Sequence, residues 1–293
     1  GVCGNFRMPM PAYSSVNEVK QKKDLIFLAT KATEMIEAAE AIRSVIKDDG
    51  YIISMQNGIC VDDLSAVLGK DKIIGCVTGW GATMNSRGRL EMASTGDFIL
   101  GYPDRPPDEF LSVVAEIMSS VVPVKISDNI IGHLYSKLII NSCITSLGAI
   151  CGLFLGKMLS IGKIRRIFIE VIREAVAVAE RMQIKIEVFG GRLDFHKFLK
   201  GNNLLSDIRR HLFIMIIGFK YRKLKSSSLQ SLERGKPTEV DYFNGYILKN
   251  GSRLNVTVPV NKAIVDMIHE IEQKKRGINL ANFSEPVFNK FND

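Results

Sequence analysis

Residues 133–156, HLYSKLIINSCITSLGAICGLFLG, form a long apolar stretch in which polar residues recur at every fourth position. Lys137, Asn141 and Thr145 occupy these positions, and residues at i, i+4 and i+8 lie on one face of an α-helix. Desolvation lowers the pKa of a lysine toward neutrality, where it can give a proton to a developing alkoxide. The stretch therefore predicts a buried helix with one catalytic face. The structural alternative is a lysine that extends to solvent, an asparagine bonded to a neighbouring loop and a threonine bonded back to its own helix.

A second informative segment lies downstream, at residues 225–251, KSSSLQSLERGKPTEVDYFNGYILKNG. It places Ser227 and Glu239 on either side of a Gly-Lys-Pro turn and then enters a helix that Gly251 closes. Two earlier motifs accompany it, namely Lys31 in FLATKATE and Asn57 in SMQNG.

Together these motifs resemble the ketopantoate reductases (2-dehydropantoate 2-reductases). That family has a K-x3-N-x3-N helix, a later S-S-x-L-Q-D…T-E-I-D-x-x-N-G stretch, and an earlier lysine and Q-N-G. The matches occur in the same order and run from residue 24 to residue 245, so the resemblance covers nearly the whole chain. It implies an NADPH-dependent reduction of a 2-oxo acid, in the family 2-dehydropantoate to pantoate, a step of pantothenate biosynthesis.

The resemblance also implies roles for individual residues. Lys137 would donate the proton, with Glu239 as its catalytic partner near the cofactor ribose. The implied substrate-binding residues are Asn57, Asn141, Thr145 and Ser227, and the implied cofactor-binding residues are Lys31, Asn57, Ala82 and Glu239.

Each of these roles has a plainer alternative. Glu239 could be a solvent-facing glutamate that stabilises a helix N-terminus. Asn57 could belong to an ordinary Asn-Gly turn, and Lys31 could be a solvated surface lysine.

The chain departs from the family pattern in the substrate region. Thr145 stands where asparagine is usual, Ser231 stands where aspartate is usual, and residues 153–156 read LFLG where the family has a Pro-Asn-Gly turn. These changes favour reduction of a 2-oxo acid in general more strongly than reduction of ketopantoate in particular.

A Rossmann domain begins with a strand, a G-x-G-x-x-G turn and a helix that receives the pyrophosphate. Residues 79–84, GWGATM, lack the third glycine, and no strand precedes residues 1–4, GVCG. We therefore expect the family's first βαβ unit to be missing from this sequence. Two alternatives follow: a degenerate, non-catalytic member that serves as a binding or dimerisation module, or a reductase of a different 2-oxo acid.

Composition indicates a globular chain with sizeable cores, because 46% of the 293 residues are apolar and charges of both signs are spread throughout. The net charge of +8 suits anionic ligands such as a phosphorylated cofactor and a carboxylate substrate, and we expect no nucleic acid partner. Residues 209–225, RRHLFIMIIGFKYRKLK, could be a membrane-surface helix, but the apolar run is too short to span a bilayer. We expect a helix buried on one side and no membrane association.

The five cysteines, Cys3, Cys60, Cys76, Cys143 and Cys151, contain no C-x-x-C pair, which is typical of reduced thiols in a cytoplasmic protein. Cys143 and Cys151 have apolar neighbours and are predicted to be packing residues. The four histidines lack metal-ligand spacing, so we expect no metal.

The pattern along the chain predicts two domains. Apolar runs at 24–30, 51–54 and 73–77 alternate with helical patterns at 33–47 and 61–69, which predicts a doubly wound parallel sheet. Residues 1–127 are thus predicted to be an incomplete dinucleotide-binding (Rossmann) domain.

Residues 128–293 are predicted to form a helical substrate and dimerisation domain. The family resemblance implies a fold like the C-terminal domain of 6-phosphogluconate dehydrogenase, and a homodimer. Residues 186–226 are expected to be a lid or an oligomer contact, and the tail from residue 278 is expected to be loose.

Overall fold

The computed structural model describes residues 4–291. It divides into two compact units, one ending at Leu134 and the other beginning at Tyr135. This division lies inside the long helix Ile130–Cys151.

The first unit is an α/β unit built on one mixed sheet. Within the described residues its elements are β1 (Lys23–Leu28), α1 (Met35–Ile42), β2 (Ile46–Ser54), α2 (Val61–Leu68), β3 (Ile73–Thr78), β4 (Gly81–Ser86), β5 (Arg89–Ser94), β6 (Phe98–Gly101), α3 (Glu109–Ser119) and β7 (Val124–Ile126). The main sheet has the order β1-β2-β3-β6-β7, and β4 pairs with β5 in a separate hairpin.

The first three strands are parallel, as the continuous apolar runs predicted. Ile52, Ile53, Ile73 and Ile74 are fully buried, because helices and strands of the unit cover both faces of the sheet. The sheet becomes mixed at β6, which runs antiparallel to β3 and parallel to β7.

The helix predicted over residues 33–47 ends early, and its last part belongs to β2. The chain turns at residues 43–45, and Ile46 already pairs with Lys23 of β1. A side-chain Cβ at Gly50 would lie 2.9 Å from the carbonyl oxygen of Lys23, so glycine permits this close pairing. The charged residues of this segment show no strand pattern. The first half of β2 lies where the pairing register between β1 and β2 is irregular.

The second unit is helical. Its elements are α4 (Ile130–Cys151, which begins in the first unit), α5 (Leu155–Ser160), α6 (Gly162–Arg181), α7 (Phe195–Leu199), α8 (Leu204–Lys220), α9 (Ser227–Glu233), α10 (Asn244–Arg253) and α11 (Pro259–Glu272). These helices confirm the prediction of an α/β fold followed by an all-α one.

Helix α4 is mostly buried. By length and composition it could cross a membrane, but 83% of its most apolar window is buried inside the protein. That burial is what a core helix of a globular protein shows.

The prediction that the tail from residue 278 is loose is wrong. Short 3₁₀ helices form at Leu280–Ser284 and Pro286–Phe291. Phe283, Phe288 and Phe291 are buried, and the rings of Phe283 and Phe288 lie 5.6 Å apart. Three aromatic anchors therefore hold a segment whose local sequence carries no helical periodicity.

Residues 186–226 contain α7 and α8. As predicted, α8 is buried on one side only, through Arg210, Ile214 and Gly218. A Cβ at Gly218 would lie 2.9 Å from the Cβ of Leu159, which shows how closely α8 packs on α5.

Candidate active site

The polar face predicted on α4 exists in the structure. Lys137 and Asn141 are partly buried, and Thr145 is buried. The hydroxyl of Thr145 donates a hydrogen bond to the backbone oxygen of Asn141 at 2.8 Å. This is the local bond that the structural alternative anticipated for the threonine. While this bond is made, the Thr145 hydroxyl offers a ligand only its lone pairs, as a hydrogen-bond acceptor.

The start of α9 packs directly on this face. Gly148 follows Asn141 by seven residues and so lies on the same side of α4. A Cβ at Gly148 would lie 2.8 Å from the Oγ of Ser226. Ser226 is the buried N-cap of α9, and its Oγ accepts a hydrogen bond from the backbone N–H of Leu229 at 3.2 Å. The start of α9, with its exposed first residue Ser227, therefore lies against α4 at Gly148, three residues past Thr145.

Glu239 is buried, at 9% exposure, so the solvent-facing alternative does not describe it. Its side chain does not cap the short helix Val240–Tyr242 that follows. Instead, Thr238 fixes this turn. Its backbone N–H donates to Oε1 of Glu272 at 2.7 Å, and its Oγ1 accepts from the N–H of Val240 at 3.2 Å.

A buried polar network, which sequence reasoning missed, fastens α4 to three other helices. Asn244 accepts from the hydroxyl of Ser146 at 2.5 Å and donates to the backbone oxygen of Ser142 at 3.3 Å. It also donates to Oδ1 of Asn261 at 2.9 Å. Asn261 in turn donates through its backbone and side-chain nitrogens to Oε2 of Glu174, at 2.9 and 2.7 Å. The Asn-Gly pair at the end of the downstream motif was the available signal.

Burial raises the pKa of the Glu174 carboxyl above its ordinary value, although the hydrogen bonds from Asn261 and from the backbone of Val260 oppose this shift. The carboxyl is 6% exposed and faces three donors. It therefore serves to join α6 to α11 rather than to exchange protons with a substrate.

In the first unit the candidate residues follow the carboxyl ends of parallel strands. Lys31 comes after β1 and Asn57 after β2, and both are partly buried. Gln56 ties these two ends together, since its Oε1 accepts from Ser54 Oγ at 2.7 Å and its Nε2 donates to the oxygen of Leu28 at 3.0 Å. Asn57 does stand in a tight turn, as the plainer alternative held, because Gly58 has φ +92°.

The same edge of the sheet holds buried polar groups that lack a partner among residues 4–291. They are Oγ1 of Thr30, after β1, and Nε1 of Trp80, after β3. Buried polar groups normally make hydrogen bonds, and open α/β sheets bind ligands beyond the carboxyl ends of their strands. This edge therefore fits a dinucleotide. Ala82 follows Trp80 by two residues and is exposed in β4 of the hairpin, where it pairs with Met92.

The cysteines belong to the packing of the protein. Cys60, Cys76, Cys143 and Cys151 are free and buried, and Cys3 lies outside the described residues. Burial raises the pKa of the Cys143 and Cys151 thiols, which makes both poor nucleophiles. Within residues 4–291, no cluster of three or more His, Cys, Asp or Glu residues could hold a metal ion.

Two family models match the chain. The model described as ketopantoate reductase PanE/ApbA matches residues 2–105, and the model of the C-terminal part of that family matches residues 129–272.

Curated relatives point to the same family. The 2-dehydropantoate 2-reductase of Pyrococcus abyssi is 29% identical over 250 residues, which cover 85% of this chain and 76% of the relative. The enzyme of the same name from Aquifex aeolicus is 24% identical over 272 residues, covering 92% and 83%.

Solved structures resemble this fold over most of its length. A ketopantoate reductase of the PanE/ApbA family from Ralstonia eutropha JMP134 is 27% identical, with a TM-score of 0.75, and the match covers 90% of this chain and 80% of that one. A D-mandelate dehydrogenase in a ternary structure with NADH and anilino(oxo)acetate is 20% identical, with a TM-score of 0.72 and coverage of 87% and 77%, which shows a shared fold alone. Since the two family models jointly span both structural units, this chain belongs to the ketopantoate reductase family of oxidoreductases.

Proposed function

We propose that the protein reduces a 2-oxo acid, with 2-dehydropantoate as the first substrate to test, to the 2-hydroxy acid, using NADPH. The observation that carries this proposal is the face of α4. There Lys137 and Asn141 are partly buried and Thr145 is buried, and the start of α9 packs on the same helix at Gly148, in a chain of this family.

When bound, NADPH supplies the hydride that adds to the ketone carbon. Lys137 donates a proton to the carbonyl oxygen as the carbon–oxygen double bond is reduced, so the product carries a hydroxyl group. Its ammonium also stabilises the negative charge that develops on that oxygen. Glu239 keeps this ammonium in place through opposite charge, and its burial strengthens that attraction.

Asn141, Thr145 and Ser227 hold the substrate. The Asn141 amide and the Ser227 hydroxyl can donate hydrogen bonds to a carboxylate. Thr145 offers only lone pairs, because its hydrogen is bonded to the oxygen of Asn141, and it therefore suits a hydroxyl group of the substrate. 2-Dehydropantoate carries such a hydroxyl at C4, which favours it over simple 2-oxo acids.

Lys31 and Asn57 are the proposed cofactor residues, together with Ala82 and Glu239. The buried polar groups of Thr30 and Trp80 support a cofactor at the carboxyl edge of the sheet. NADPH rather than NADH agrees with a net charge of +8, since its extra phosphate is anionic. We also propose that the protein is a homodimer and works in the cytoplasm.

The test is a panel of 2-oxo acids assayed for NADPH consumption. We expect turnover with 2-dehydropantoate, slower turnover with its analogue lacking the C4 hydroxyl, and lower kcat/KM with NADH. NADPH consumption that no 2-oxo acid accelerates would contradict the proposal.

The substitutions in the substrate region, with Thr145 and residues 153–156 in place of the family's asparagines, favour a second candidate, a non-catalytic binding module. A fluorescence titration with NADPH separates the two. Binding with turnover supports the reductase, whereas no binding at any accessible concentration supports the module.

A further inference from the structure

Helix α8 has two contrasting faces. One is buried against the rest of the helical unit through Arg210, Ile214 and Gly218. The other carries seven large apolar side chains, each between 46% and 75% exposed, namely Leu204, Leu205, Ile208, Leu212, Met215, Ile216 and Phe219. A continuous apolar patch of this size marks an interaction surface rather than ordinary protein surface.

The spacing of these residues suits a second helix. Leu205, Ile208, Leu212, Met215 and Phe219 are separated alternately by three and four residues, which is the a/d pattern of a coiled-coil seam. All five seam positions are apolar. A partner that covers the seam must therefore present an apolar helix of similar length, about 25 Å for 17 residues.

The exposed face is also symmetric along the helix. Leu205 and Phe219 lie seven residues to either side of Leu212, and Ile208 and Ile216 lie four residues to either side. Two antiparallel copies related by a two-fold axis at Leu212 would place Leu205 opposite Phe219 and Ile208 opposite Ile216, with Leu212 opposite its own copy. A self-complementary patch of this kind is what an isologous dimer requires.

We propose that α8 is the dimerisation helix and pairs in antiparallel fashion with α8 of a second copy of this chain. The seven side chains expose roughly 800 Å², about what each partner contributes to a standard protein interface. This helix pair would be the interface of the homodimer proposed above. The inference does not depend on the reductase activity.

Two arginines in the first half of this helix argue against a lipid surface as the partner. Arg209 donates to the backbone oxygens of Lys197, Phe198 and Lys200 at 3.0–3.1 Å. Arg210 is buried and pairs with Asp207 at 2.6 Å. These guanidinium groups hold the preceding segment in place instead of facing outward as an interfacial membrane helix requires.

The first test is the mass of the full chain by size-exclusion chromatography with light scattering. The wild type should have twice its chain mass of 32.6 kDa, and Leu212→Glu, which sets two carboxylates against each other at the two-fold axis, should be monomeric. Ile117→Glu is the matched control, since Ile117 is a similarly exposed apolar residue on α3 and should leave the dimer intact. Thermal unfolding should show that both variants are folded.

Disulfide trapping tests the orientation, in a background where Cys3 is replaced by serine. The pair Leu205→Cys and Phe219→Cys should cross-link two chains under mild oxidation. Leu205→Cys alone should not, because only a parallel arrangement brings two copies of position 205 together.

A monomeric wild type, or a Leu212→Glu variant that remains dimeric, would overturn the proposal. Flotation of a monomeric wild type with anionic vesicles, lost in Leu212→Glu, would also overturn it and identify a lipid partner instead. NADPH consumption measured on the same samples keeps the two proposals apart, since an active monomer refutes only the interface.

Discussion

At the scale of single residues, Thr145 links local geometry to substrate choice. Its hydroxyl donates to the oxygen of Asn141, so the proposed contact with the C4 hydroxyl of the substrate uses the lone pairs of Thr145 alone. Thr145→Val keeps the shape and removes the acceptor. We expect kcat/KM for 2-dehydropantoate to fall about tenfold, the value of one hydrogen bond.

The analogue without the C4 hydroxyl provides the control, because its kcat/KM should change little in Thr145→Val. Steady-state kinetics with both substrates measures the difference. Equal losses for the two substrates would show that Thr145 acts only through its own helix.

Spacing alone predicted the face formed by Lys137, Asn141 and Thr145, because helical periodicity is local. It left open where the threonine hydrogen goes, since an i→i−4 bond to the backbone has no signature in the sequence. It missed the bond between Asn261 and Glu174, which joins residues 87 positions apart. No rule of spacing connects residues that meet only through tertiary packing.

At the scale of elements, the contact of α9 with α4 depends on Gly148. A methyl group there would lie 2.8 Å from the Oγ of Ser226 and would push the start of α9 away. We expect Gly148→Ala to lower the free energy of unfolding by about 1–3 kcal/mol through overpacking. We also expect it to raise the KM for the 2-oxo acid, because Ser227 moves with α9.

Gly277→Ala is the comparison for this variant, since nothing lies within 4 Å of the added Cβ. Denaturant unfolding and steady-state kinetics should separate the two glycines. A Gly148→Ala protein with unchanged stability and KM would show that the helices do not need this close approach.

The buried carboxyl of Glu174 makes stability depend on pH. Burial raises its pKa in the folded protein, so the folded state holds this proton more tightly than the unfolded state does. The resulting stabilisation is complete below the ordinary glutamate pKa and is lost as the pH rises toward the raised value.

Glu174→Gln has no such proton and leaves one backbone donor without an acceptor, which costs about 1–3 kcal/mol. The difference in free energy of unfolding between wild type and Glu174→Gln should therefore be largest in acid and should narrow as the pH rises above about 4.5. Chemical denaturation across a pH series measures it. If the difference in free energy of unfolding instead grows as the pH rises, the hydrogen bonds to Glu174 outweigh burial in setting its pKa.

Elements with strong periodicity were predicted well, and elements held by distant contacts were not. The parallel strands β1, β2 and β3 coincide with the apolar runs, whereas a local cap begins α3, where the carboxylate of Asp108 accepts from the N–H of Leu111 at 2.9 Å. The charged half of β2 was missed: residues 46 and 47 were predicted to be helix and residues 48–50 were given no strand, because residues 46–50 lack alternating apolar residues. The tail was predicted to be loose, because Phe288 and its neighbours become ordered only through burial in the helical unit.

At the scale of the whole molecule, the net charge of +8 has a consequence for the cofactor. Attraction of an anionic dinucleotide weakens as salt screens the charges. We expect the Kd for NADPH to rise with ionic strength more steeply than the Kd for NADH, because only NADPH carries the additional phosphate. Fluorescence titrations over a salt series measure both slopes.

If Lys31 contacts the cofactor's phosphates, Lys31→Ala should make the Kd for NADPH depend less steeply on ionic strength. The exposed lysine Lys249 on α10 offers a control, and Lys249→Ala should leave the slope unchanged. If the Kd values for NADPH and NADH rise equally with ionic strength, the net charge gives no reason to expect NADPH.

The architecture of the whole chain was predictable from the order of its motifs. Continuous apolar runs indicated the parallel part of the sheet, and the stretch after Asp128 indicated a helical unit. The two compact units divide within α4, which is one uninterrupted helix.

The most direct test of the account is the turnover number of Lys137→Ala with 2-dehydropantoate and NADPH. Loss of the proton donor should lower kcat by about 10²–10⁴-fold with little change in thermal stability, since the side chain is only partly buried. Lys163→Ala, a lysine of similar burial on α6, should keep wild-type turnover. A folded Lys137→Ala protein that turns over as fast as the wild type would contradict the proposed role of Lys137 and, with it, the proposed mechanism.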